Sequence, residues 1–125
     1  MGCAVAGDLL VGMASNCGVA AIVTDGAVRD ISGILGVGLP VFCAGVCANS
    51  PARNGPGTVG RPIVLGGVAV TSGDIIVGDA DGVVVVPIQQ AAHVARQLAA
   101  VRSAEASLES EVKAGLRIPD FIVQL

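Results

Sequence analysis

Aromatic residues are nearly missing from this chain: it has no Trp, no Tyr and two Phe in 125 residues. Any core must therefore be built from Val, Ile, Leu and Ala, and with 53% hydrophobic residues there is enough of them to exclude global disorder. Charge is scarce too, at 14% of residues, and the seven Lys/Arg are scattered against ten Asp/Glu. With a net charge of -3 and no basic stripe to follow a phosphate backbone, nucleic acid is not an expected partner. Histidine occurs once, at His93, and Cys3, Cys17, Cys43 and Cys47 form no CxxC pair, so a structural zinc site has no ligand set. Buried free thiols in a reducing cytosol is the expected state of those cysteines.

A mean hydropathy of +0.79 and an uncharged run from Ile31 to Ala52 raise the question of a membrane. Gly33, Gly36, Gly38, Pro40, Gly45 and Pro51 break that run into short pieces, so a buried α/β core accounts for it and no membrane partner is expected. Met1-Gly2-Cys3 is followed by Ala6 where a myristoylation signal wants Ser or Thr, and no basic n-region marks a secretory signal. The expected location is cytoplasmic.

Along the chain, Gly2 to Ala6 reads as a short strand and Asp8 as the cap of a helix over Leu9 to Cys17, ended by Gly18. Val19 to Thr24 reads as a buried strand, Asp25-Gly26 as a turn, Ile31 to Leu35 as a short helix, and Pro40 to Ala44 as a further strand. Gly45 to Gly60 is a long loop of the kind that often carries function. Strands over Ile63 to Leu65, Val68 to Val70, Asp74 to Gly78 and Val83 to Val86 form an antiparallel layer. A long amphipathic helix over Ile88 to Ala114, with Val94, Leu98, Val101, Leu108 and Val112 among its apolar positions, precedes a tail at Pro119.

If the first two strands are parallel neighbours, the βαβ unit brings Asp8 and the Asp25 to Asp30 turn together at their carboxyl ends, where open α/β sheets bind ligands. The free amides of Leu9 and Leu10 at the helix start favour an anion, Arg29 can fork a carboxylate, and Asp30 can offer a hard oxygen to a divalent cation. Taken singly, Asp8 is more often a helix cap than a catalytic group, Asp30 could equally cap Ile31 to Leu35, and Arg29 reads as a surface ion-pair partner. Asp79 and Asp81 lack the later ligands of a calcium loop and read as a hairpin turn. Arg53 and Arg61 either reach a substrate from the long loop or are simply solvated.

Four stretches together resemble the RraA-like family: Gly7-Asp8-Leu9-Leu10, Val23 to Asp30, Gly38 to Phe42, and Gly73 to Pro87. That family includes 4-hydroxy-4-methyl-2-oxoglutarate/4-carboxy-4-hydroxy-2-oxoadipate aldolases and the protein regulator of ribonuclease E. An Asp, twenty intervening residues and then Arg-Asp is the pattern associated with its aldolases, and Asp8 to Arg29-Asp30 matches it. The resemblance implies a single α/β domain of the swivelling β/β/α type, assembled as a homotrimer or a multiple of it, with sites at subunit contacts. It implies that Arg29 and the Leu9 and Leu10 amides bind a pyruvate carboxylate, that Asp30 binds Mg²⁺ or Mn²⁺ with waters, and that Asp8 positions a water. The expected activity is metal-dependent cleavage of small 2-oxo acids to pyruvate, accompanied by oxaloacetate decarboxylation. The alternatives are a non-catalytic protein that binds and inhibits ribonuclease E, or an inactive truncated member. Family members carry a helix and strand before the position of Met1, so this chain is expected to be N-terminally incomplete and less active than an extended form.

Overall fold

The computed structural model describes residues 2–52 and 54–123, and the chain divides into two compact units, Met1–Pro87 and Ile88–Leu125. In the first unit, β1 (Ala4–Ala6) leads through Gly7 into α1 (Asp8–Asn16). Gly18 follows the helix with φ +76°, the left-handed turn that suits a residue without Cβ. Next come β2 (Ile22–Val23), β3 (Ala27–Val28), α2 (Ile31–Val37), β4 (Val41–Phe42) and β5 (Gly45–Val46). Two hairpins complete the unit: β6 (Ile63–Leu65) with β7 (Val68–Val70), and β8 (Ile75–Gly78) with β9 (Val83–Val86). Gly66 and Gly67 both have positive φ, the requirement of a type I′ two-residue turn.

The mixed α/β architecture is as expected, but the strand neighbours differ from the sequence reading. β1 pairs in parallel with β3, not with the strand at Val19 to Thr24, and β3 pairs in parallel with β5. β2 pairs in parallel with β4 in a separate sheet. Hydrogen bonds from Thr24 N to Phe42 O (2.9 Å) and from Ala44 N to Gly26 O (3.0 Å) bridge the two sheets. The segments 22–28 and 41–46 thus run as kinked strands, with Asp25-Gly26 at the kink of the first. What reads as a turn is a bend between two short strands, and β1 docks on the far half.

The core is small and made of small side chains: Ala4, Ala6, Val11, Ala27, Val28 and Ile34. Alanines on β1 and β3 let α1 and α2 lie close to that sheet and to each other. Val11 and Val28 are the largest fully buried side chains. Between Ala4 and Ala6 the β1–β3 register shifts, and the Val5 side chain at that irregularity lies over Gly26, where a Cβ would come within 2.9 Å of it. The cysteines depart from expectation: Cys17 and Cys43 are exposed, and Cys3 and Cys47 half-buried, because each falls at the end of a short element outside this core.

The second unit is a 3₁₀ turn (Ile88–Gln90), the 23-residue α3 (Ala91–Lys113), a turn through Gly115, and α4 (Asp120–Val123), a helical turn in what reads from sequence as a tail. No helix among the described residues is long and apolar enough to cross a membrane.

Val11→Ala should destabilise the first unit by about 2 kcal/mol, from the lost methyl burial and the cavity left behind. Val59→Ala, at a side chain 99% exposed, should stay within about 0.5 kcal/mol of the parent. Urea unfolding followed by circular dichroism checks both, and equal midpoints for the two variants would remove Val11 from the core.

Candidate active site

The site is assembled by the β1–β3 pairing. The Arg29 amide donates to the Ala6 carbonyl at 3.0 Å, so the Gly7-Asp8 step and the Arg29-Asp30 step emerge side by side at the carboxyl ends of two parallel strands. The expected juxtaposition therefore occurs, though through β3 and not through β2. Asp8 is the first residue of α1, with Gly7 at the cap position, so it is not the side-chain cap expected of it. Its Oδ1 accepts a hydrogen bond from the Leu9 amide at 2.7 Å. That bond occupies one of the two amides expected to face an anion. The Leu10 amide precedes the first helical hydrogen bond, Val11 N to Gly7 O, and so has no acceptor within the helix. The side chains of Leu9 and Leu10 are exposed.

Asp30 stands at the cap position of α2 without making a side-chain cap bond. Its backbone is left-handed, φ 58° and ψ 46°, and it alone among the described non-glycine residues has positive φ. Such a conformation costs an L-residue about 1–2 kcal/mol, least for Asp and Asn. The carboxylate is turned instead toward Arg29, with Oδ2 3.3 Å from Nε, and both side chains remain partly exposed. Arg29 Nη1 donates to Ser50 Oγ. Among the described residues these contacts engage two of the five guanidinium donors, Nε–H and one on Nη1.

Ser50 belongs to the loop that the sequence marks as functional, and no sequence signal singles it out. Its neighbour Asn49 ties the loop to β1 twice: its carbonyl accepts from the Ala4 amide and its side-chain amide donates to the Gly2 carbonyl, both at 2.9 Å. Arg53 lies outside the described residues, and Arg61 is exposed.

Two glycines make room for the carboxylates. A Cβ on Gly7 would stand 2.7 Å from Asp30 Oδ2, and a Cβ on Gly33, in α2, would stand 2.5 Å from Asp8 Oδ2. Each acid therefore rests against the element that carries the other. Among the described residues no three His, Cys, Asp or Glu gather into a metal cage. A hard cation that keeps most of its waters and takes one or two carboxylates fits this donor set, and a protein-enclosed ion does not.

Two of the other acids hold turns. Asp25 Oδ2 accepts from the Gly66 amide at 3.0 Å, anchoring the β6–β7 turn, which the sequence does not reveal. Asp79 Oδ1 accepts from the Asp81 and Gly82 amides, as a hairpin turn requires. A hollow of about 580 Å³ in this unit is lined by Asp25, Phe42, Cys43, Asp79 and Asp81, and not by Arg29 or Asp30. His93 lies on α3 in the other unit and is exposed.

A family model described as RraA-like, Aldolase/RraA, matches residues 1–85, nearly the whole first unit. The chain is 45% identical over 91 residues to a Halalkalibacterium halodurans protein named "Putative 4-hydroxy-4-methyl-2-oxoglutarate aldolase", covering 73% of this chain and 43% of that one. A crystal structure of a Pseudomonas syringae pv. tomato protein superposes with a TM-score of 0.81 at 33% identity, covering 92% of this chain and 58% of the other. A Streptomyces coelicolor structure, described as an unusual member of the RNase ES inhibitor RraA protein family, gives 0.77 at 31% identity, covering 89% and 56%. The chain spans 43% to 58% of the length of these three relatives. With more than half its residues under the family model and its fold shared with these structures, this chain belongs to the RraA-like family.

Proposed function

We propose that the group Asp8, Arg29 and Asp30 at the carboxyl ends of β1 and β3 is a pyruvate-binding site that supports divalent-metal-dependent cleavage of 4-hydroxy-4-methyl-2-oxoglutarate-type acids, with oxaloacetate decarboxylation as a companion activity. The observation that carries this reading is the placement of Asp8 beside Arg29-Asp30 across the β1–β3 pair. In this reading Arg29 fixes the substrate carboxylate through its uncommitted donors, aided by the Leu10 amide, with the Leu9 amide contributing where Asp8 releases it. Mg²⁺ or Mn²⁺ at Asp30 supplies Lewis-acid polarisation of the 2-oxo group when bound. Asp8 holds a water that moves the proton as the carbon–carbon bond breaks and the pyruvate enolate forms. An imine route would need a lysine, and the single one, Lys113, is in the second unit, ion-paired to Glu109. A partly exposed site also calls for neighbours to shut out water, and exposed Leu9, Leu35 and Val46 supply apolar surface for a homotrimer or a multiple of it.

A second reading has its own support in the Streptomyces relative, whose description is that of a ribonuclease inhibitor family. On that reading the same scaffold binds a ribonuclease and turns nothing over.

Pyruvate release from 4-hydroxy-4-methyl-2-oxoglutarate or oxaloacetate, coupled to lactate dehydrogenase, should require Mg²⁺ or Mn²⁺ and stop with excess EDTA. Equal rates with and without EDTA would end the metal reading. No release with either metal, together with slower ribonuclease E cleavage in the presence of this chain, would select the regulator.

Arg29→Ala should raise KM and lower kcat together, with kcat/KM falling about tenfold to a hundredfold, since ground state and enolate both carry the carboxylate. Asp8→Asn should act mainly on kcat, by removing the charge that holds the water while Arg29 stays in place. Steady-state kinetics of the two variants separate these roles, and unchanged constants in either would remove that residue's contribution.

A further inference from the structure

The long loop contributes Ser50 to the candidate site, and the hydrogen bond it makes there has a direction. Arg29 Nη1 can only donate, so Ser50 Oγ is the acceptor and the hydroxyl proton points away from the guanidinium. Among the described residues no acceptor takes that proton, and Ser50 is exposed. A hydroxyl that accepts from a cation is also a stronger donor, because the positive charge polarises its O–H bond.

Ser50 is placed by the sheet as well as by the loop. The Cys47 amide donates to the Val28 carbonyl at 3.0 Å, which sets the chain leaving β5 beside the chain leaving β3. Asn49 is tied to β1 through its carbonyl and its side-chain amide. Pro51 follows, and disfavours helical backbone at Ser50. The Nε side of Arg29 already faces the Asp30 carboxylate at 3.3 Å. A second carboxylate is repelled from that side and meets the guanidinium at its Nη end, where Ser50 stands.

We propose that Ser50 is a substrate-binding residue whose hydroxyl donates to the carboxylate held by Arg29. The inference rests on the reading of Asp8, Arg29 and Asp30 as a pyruvate site, and it adds a binding group from outside the Asp8 to Asp30 segment.

Calorimetric titration of the full chain with pyruvate in the presence of Mg²⁺ tests it. Ser50→Val should raise the dissociation constant for pyruvate about fivefold to tenfold, while Ser50→Thr, nearly equal in size but with a hydroxyl, should stay within about twofold of the parent. In an Arg29→Lys background, where no guanidinium is left to brace, Ser50→Val should still weaken binding about threefold or more. Equal constants for Ser50→Val and Ser50→Thr would overturn the proposal. So would an Arg29→Lys chain indifferent to Ser50→Val, because Ser50 would then only brace Arg29. A parent chain that binds pyruvate and loses it with Arg29→Ala but not with Ser50→Val would remove Ser50 and leave the pyruvate site standing. A parent chain that takes up no pyruvate would remove both.

Discussion

The site depends on the parallel pairing of β1 with β3, closed at its end by the hydrogen bond from the Arg29 amide to the Ala6 carbonyl. Strand side chains alternate faces, so a slip of one residue in β1 would turn Ala4 and Ala6 out of the core and Val5 into it. The register is secured at three places. Alanines fill the thin space beneath α1 and α2, Val5 seats over Gly26, and Asn49 ties the far end of β1 to the loop. Once that register is set, the chemistry-bearing residues need no further element to bring them together, because each follows its strand by one or two positions.

The two glycines convert that proximity into a cross-braced arrangement. Gly7 precedes one acid and receives the carboxylate of the other, while Gly33 lies three residues beyond Asp30 and receives that of Asp8. Movement of α2 relative to α1 would therefore disturb both acids at once. Arg29 is braced separately, by Asp30 on one side and by Ser50 on the other. The loop is thus part of the frame that aims the guanidinium.

Much of this was legible in the sequence because its signals are local. Helices α1 and α2, both hairpins and the long α3 follow from apolar spacing and from Gly and Asp at turns, and the grouping of Asp8 with Arg29-Asp30 follows from strand–helix alternation. The choice of strand partner was not legible. Ala27-Val28 is too short an apolar run to announce a strand, and Asp25-Gly26 has the composition of a turn whether the chain reverses there or merely kinks. The contributions of Ser50 and of Asp25 were hidden for a different reason. Both act through single hydrogen bonds spanning 21 and 41 residues of sequence, and such contacts leave no periodicity to read.

The left-handed backbone at Asp30 imposes a selection rule at that position. This conformation favours Gly, which has no Cβ to crowd the following carbonyl, and then Asn or Asp, whose short polar side chains hydrogen-bond locally. An anionic oxygen opposite Arg29 favours Asp or Glu. The two sets share one member. A Glu would satisfy the charge and strain the chain, and an Asn would relieve the chain and lose the charge. Asp alone meets both preferences, so the main-chain angle sharpens the demand that the ion pair makes at this position.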